Sequence, residues 1–150
     1  MLATETAELV PVLQTAIGPV VMISGVGLLL LTMTNRLGRV VDRSRILAHQ
    51  VREARDEARP PIRAQLRILK NRAELIRRSI ALAAFCVLFA AILIISLFIT
   101  ALFHVDVPWL VAGLFILSMA SLIASLVYFI RDVNRALVAT KLEVGEDWED

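Results

Sequence analysis

The chain reads as an all-α membrane protein with three transmembrane helices and a long cytoplasmic antiparallel helical hairpin between the first and second. Two observations carry this expectation. Three stretches without a charged side chain, residues 9–35, 79–103 and 107–130, are each long enough to cross a hydrocarbon layer of about 30 Å, which takes roughly 20 residues in helix. The segment from Arg36 to Arg78 holds most of the positive charge, twelve Arg plus Lys70 against Asp42, Glu53, Asp56, Glu57 and Glu74. The apolar stretches lack the alternating polarity of barrel strands, so helices are the spanning structure expected. A chain of 150 residues that is 58% hydrophobic leaves no room for a separate globular domain.

The elements follow in order: a periplasmic tail at 1–8, a first span at 9–35, the hairpin at 36–78, a second span at 79–103, a periplasmic turn at 104–108, a third span at 109–130 and a cytoplasmic tail at 131–150. Orientation comes from the basic hairpin, because Lys and Arg near a membrane keep a loop in the cytoplasm. The first tail carries only Glu5 and Glu8, and the outer turn only Asp106, while Arg131 and Arg135 follow the third span. The N-terminus is therefore expected outside and the C-terminus inside. No basic residue precedes Leu9, and Thr32-Met33-Thr34-Asn35-Arg36 is a poor cleavage site, so the first span is expected to remain in the mature protein.

The first span is the least greasy. Gln14, Thr15, Gly18, Pro19, Ser24, Gly25 and Thr32 interrupt it, with Gly18, Gly25 and Thr32 seven residues apart. Small residues on one stripe let another helix approach closely. Pro19 cannot donate to the Thr15 carbonyl, and its ring crowds that oxygen, so a bend is expected there. The stripe serves either tight helix packing or, if several first helices surround an axis, a narrow polar path in which Val21 or Leu28 makes an apolar constriction.

In the hairpin, Leu37, Val40, Ser44, Leu47, Val51, Ala54 and Ala58 alternate steps of three and four, and Ile62, Leu66, Leu69, Ala73, Ile76 and Ile80 resume the spacing beyond Pro60-Pro61. Two heptad seams imply two antiparallel arms with the diproline at their tip. Packing within one chain and packing between several both satisfy the seams. Arg36, Arg39 and Arg43, with Arg77 and Arg78 at the same depth, form a basic collar suited to anionic lipid headgroups. Toward the tip the charges mix in sign, and Glu53 and Glu57 are spaced for pairs across arms or subunits. The segment has no aromatic residue beside its arginines, which argues against nucleic acid.

The second span, rich in Leu, Ile, Phe and Ala, is expected to form the lipid-facing wall, with Cys86 as a buried, inert thiol. The third carries Ser118, Ser121 and Ser125, a stripe for helix packing. Trp109 sits where an interfacial aromatic is favoured. His104 and Asp106 are too few to hold zinc, His49 stands alone, and disorder is the default for the acidic tail from Glu143. No ionisable residue lies within the three stretches, which disfavours proton relays, voltage sensing and ion-coupled transport. No enzyme activity, metal or cofactor is expected.

Ile17-Gly18-Pro19-Val20-Val21-Met22-Ile23-Ser24-Gly25-Val26-Gly27-Leu28-Leu29-Leu30-Leu31, then Thr34-Asn35-Arg36-Leu37, Val41-Asp42-Arg43 and Asn71-Arg72-Ala73-Glu74-Leu75-Ile76-Arg77-Arg78-Ser79, resemble a bacterial family of small membrane proteins known only as domain of unknown function 2721. The resemblance covers most of the chain. It implies a bacterial inner membrane and a three-helix layout, and it supplies no activity. The expected function is a homo-oligomer forming a small channel or pore around the first span. The alternative is a non-conducting scaffold that binds another protein through its hairpin.

Overall fold

The structure, a computed structural model, describes residues 2–53, 55, 59–103 and 107–146, with side chains described at 10, 11, 13–53, 55, 59–103 and 107–136. Three helices make up the fold: α1 (Leu2–Glu53), α2 (Arg59–Phe103) and α3 (Pro108–Glu146). They are 52, 45 and 39 residues long, against the roughly 20 a bilayer requires. All three are long and apolar enough to cross a membrane, and no strand occurs among the described residues.

Helix boundaries depart from the sequence expectations in all three helices. The α1 helix starts at Leu2 and runs unbroken through Pro11 and Pro19. Helix α2 begins at Arg59, so Arg59 and Pro60 are already helical and both prolines stand in its first turn; a first-turn N–H has no intrahelical partner to lose, and proline's fixed φ suits that position. Helix α3 starts at Pro108, where the Val107 carbonyl accepts from the Leu110 N–H at 3.0 Å. It continues to Glu146, although disorder was expected from Glu143 onward. His104, Asp106, Ala54, Asp56, Glu57, Ala58 and residues 147–150 lie outside the described residues, as do the side chains of Glu143 and Glu146.

The chain divides into two units, Met1–Leu30 with Leu82–Ala124, and Leu31–Ala81 with Ser125–Asp150. In the first, Val26, Ala83 and Cys86 are buried together against Met22, Leu30, Val87 and Leu122. Large apolar side chains such as Val21, Leu28, Ile95, Leu102 and Ile116 face outward, an arrangement at home in lipid tails as apolar as leucine. The Ser118 hydroxyl donates to the Cys86 carbonyl at 3.0 Å. Because that hydroxyl has one proton, the Cys86 thiol, 3.4 Å from Ser118 Oγ, is the donor in the second contact. Such closure makes the thiol slow to react: Cys86 should resist alkylation by N-ethylmaleimide in the folded, detergent-solubilised protein and react once SDS unfolds it. Rapid labelling of the folded form would contradict the packing.

The second unit is held on a similar plan. Ser79 donates to the Ser125 carbonyl at 2.7 Å, and Ser125 donates back to the Ser79 carbonyl at 2.8 Å. Met33 Sδ lies 3.4 Å from Ser79 Oγ. Val40, Leu47 and Ile76 are buried, and every other described seam residue, from Leu37 to Val51 on α1 and from Ile62 to Ile80 on α2, is at least half-buried. The chain's own helices thus cover both seams.

Helix α2, expected to form the lipid-facing wall, has two faces: Phe85, Leu88, Ile92, Ile95, Ile99 and Leu102 are exposed. Ile76, Ser79, Ala83, Cys86, Ala90 and Leu93 are all buried, so α2 carries much of the interior. Its greasy composition conceals a row of small residues at steps of three and four, and small residues are what allow helix backbones to approach.

Candidate functional site: a basic cleft on a buried carboxylate

In the second unit, α1, α2 and α3 bring two arginines onto one carboxylate. Asp132 on α3 is fully buried, and an isolated ionised carboxylate in such a place is strongly disfavoured. Arg36 Nη2 donates to its Oδ2 at 3.0 Å, and Arg72 Nε to its Oδ1 at 3.5 Å. The Arg36 guanidinium also lies over the Phe129 ring, 5.3 Å from the centroid, which adds a cation–π attraction. No buried side-chain polar atom among the described residues lacks a partner.

Each of the three comes from a buried stripe. Arg36 follows buried Met33 by one turn and precedes buried Val40 by another, Arg72 is one turn before buried Ile76, and Asp132 is two turns beyond buried Ser125. At i, i+3 and i+4 spacing, helix residues share a face, so the packing that buries the apolar neighbours also points these charges at one another.

Beside the triad lies a cleft of about 340 Å³ lined by Arg36, Arg39, Val40, Arg43, Leu69 and Arg72. Of the collar expected from sequence, Arg36, Arg39 and Arg43 meet in this cleft, whereas Arg77 and Arg78 do not line it. They fall between buried Ile76 and Ser79 along the chain but are exposed, since successive helix positions turn by about 100°. Arg78 Nε instead donates to Glu74 at 3.0 Å on its own helix. Glu53, expected to bridge across arms or subunits, faces His49 one turn back at 3.3 Å.

The α1 stripe stays open. Gln14, Thr15, Gly18, Ser24, Gly25 and Thr32 are exposed and Pro19 is half-buried. A methyl group added at Gly18 or Gly25 meets no atom within 4 Å, so among the described residues no other helix approaches there. Exposed Val21 and Leu28 complete a line at steps of four and three: Gln14, Gly18, Val21, Gly25, Leu28, Thr32. Thr15 and Ser24 turn their hydroxyl protons back to the Pro11 and Val20 carbonyls. On α3, Ser118 and Ser125 are fully buried and Ser121 half-buried.

Sequence reasoning missed Asp132, Arg72 and Ser79 as site residues, yet a signal exists. Arg72, Ser79 and Cys86 are seven apart on α2, as are Ser118, Ser125 and Asp132 on α3. Extending the serine stripe by one heptad arrives at the carboxylate.

Three long apolar helices, polar cross-helix bonds between small residues and charge confined to the segments beyond the apolar stretches define an all-α, multi-pass membrane protein. Within that class, residues 16–142 match the model of the family described as Protein of unknown function (DUF2721), and the chain belongs to that family. Searches of curated proteins and of solved structures find no match.

Proposed function

We propose that the chain is a homo-oligomeric, non-catalytic protein of the bacterial inner membrane that forms a small channel around its first helices, with its N-terminus periplasmic and its C-terminus cytoplasmic. The observation that carries the reading is the uncovered small-residue line on α1, where Gly18 and Gly25 face open space. Small residues in membranes support close helix association, and the chain's own helices leave these unused. Around a shared axis, the Thr15 carbonyl freed by Pro19 and the acceptor lone pairs of Thr15 and Ser24 make a polar path, with Val21 and Leu28 as constrictions that gate by dewetting. The orientation rests on the thirteen basic residues, twelve Arg plus Lys70, between the first two spans.

The mass of the detergent-extracted complex and ion flux through liposomes test this together. A multimer that conducts, and whose conductance changes in Thr32→Leu without loss of assembly, is the expected result. A monomer eliminates a central-axis pore.

A second reading has its own observation. Residues 37–53 of α1 and 59–78 of α2 are helical beyond the apolar stretches, a reach of roughly 25–30 Å at 1.5 Å per residue. A cytoplasmic hairpin of that length suits a non-conducting scaffold that binds a protein partner. Charge reversal at exposed Arg52 and Arg55 then abolishes cross-linking to the partner, whereas stripe substitutions leave it unchanged; a multimer whose liposomes conduct ions decides against this reading.

A further inference from the structure

The cleft in the second unit holds more positive charge than the fold uses. Four guanidinium groups line it. Arg36 and Arg72 share the one carboxylate of Asp132, and Arg39 and Arg43 have no ion-pair partner among the described side chains. Four positive charges against one negative leave an excess of three in a single cleft, a potential that gathers anions.

Its chemistry narrows the anion. The guanidinium fork matches the oxygens of a phosphate in pairs. Asp132 holds Arg36 and Arg72 in place before any ligand arrives, and a preorganised donor loses less freedom on binding. The volume of about 340 Å³ is of the order of ten water volumes, at about 30 Å³ each, which is room for a phosphate group and its nearest substituents. Val40 and Leu69 supply apolar lining, and no aromatic side chain lines the cleft, so a nucleobase would find nothing to stack on. Depth fits as well: Arg36 directly follows the first apolar stretch, Asp132 stands two residues beyond the third, and Arg36 to Arg43 spans about 10 Å of helix, comparable to a headgroup layer about 5–8 Å thick.

We propose that this cleft is a binding site for a phosphate group, offered either by an anionic phospholipid headgroup or by a free phosphate ion, with Arg39 and Arg43 as the unengaged contacts and Arg36 and Arg72 fixed by Asp132. The site stands independently of the channel and scaffold readings, since it lies within one chain.

The test uses the full chain purified in a neutral detergent. One arm titrates sodium phosphate against sodium chloride at matched ionic strength; the other titrates short-chain phosphatidylglycerol against phosphatidylcholine. Binding is read from the shift in unfolding midpoint and from ligand retention in native mass spectrometry. Saturable binding of phosphatidylglycerol alone assigns a lipid headgroup, and saturable binding of inorganic phosphate assigns a soluble ligand. Arg39→Gln with Arg43→Gln should weaken the observed affinity at least tenfold, whereas Arg45→Gln with Arg63→Gln, which removes equal charge from exposed positions off the cleft, should change it less than twofold. Arg43→Gln alone serves if the double variant has a lowered midpoint without ligand. The proposal is overturned if neither probe saturates, or if the two double variants lose affinity equally, which would reduce the cleft to diffuse surface charge.

Discussion

Replacing Arg36 with Met is expected to lower folding stability by about 3–5 kcal/mol, the range found when one partner of a buried ion pair is removed, and adding Asp132→Leu is expected to recover most of that loss. The asymmetry between the partners drives the effect. Asp132 is fully buried while the Arg36 side chain keeps 23% of its exposure, so the carboxylate cannot re-solvate when its closer cation is gone. Arg72 remains, but its Nε is 3.5 Å from the carboxylate, near the limit of a useful hydrogen bond. Arg72→Met should therefore cost less than Arg36→Met. Removing the carboxylate as well leaves an apolar site, and apolar replacements of buried pairs are often close to neutral. Recovery should fall short by the cation–π contact with Phe129, of the order of 0.5–1 kcal/mol, which disappears with Arg36 whatever stands at 132. Equilibrium unfolding in mixed detergent and SDS measures all three variants. Equal destabilisation of the single and double variants would falsify the view that an unpaired carboxylate is what the fold cannot tolerate.

The three spans are legible in the sequence because a bilayer imposes a length and a composition, and both can be counted. Their roles are less legible. Counting greasy residues matches the exposed large apolar face of α2 but hides its buried one, because the small residues Ser79, Ala83, Cys86 and Ala90 are diluted among large ones. Asp132 is hidden for a related reason. It stands between Arg131 and Val133 and near Arg135, where charges are summed to decide orientation, and a sum discards the face each charge occupies. Only its place seven residues after Ser125 marks it as inward. The collar shows the same limit: five arginines share a depth, but Arg36, Arg39 and Arg43 share the cleft with Arg72, which belongs to the second seam's helix. The burial of α1 and α2 beyond the apolar stretches, in contrast, follows the spacing of three and four at every described seam residue, since a period near 3.5 states both helix and face.

A leucine introduced at two positions of this chain should have opposite consequences. At Ser79, fully buried and in contact with Met33 and Ser125, it forces extra carbons into a closed seam, an overpacking worth about 1–3 kcal/mol, and it removes the hydrogen bond to the Ser125 carbonyl, a cross-helix bond worth about 0.6 kcal/mol on average. Ser79→Ala separates the two terms, since it loses the hydrogen bond without adding volume and should cost well under half as much. At Gly25 a side chain meets open space, so Gly25→Leu should leave the stability of the isolated chain unchanged or raise it by up to about 1 kcal/mol through helix propensity. If chains associate along α1 in lipid as proposed, the same leucine should disperse the complex, because it fills the gap a neighbouring helix needs. Unfolding midpoints under dilute, monomeric conditions and complex mass at high protein-to-lipid ratio separate the two effects. If Gly25→Leu instead destabilises the monomer as Ser79→Leu does, the α1 stripe is closed by the chain itself and self-association along it has no surface left to use.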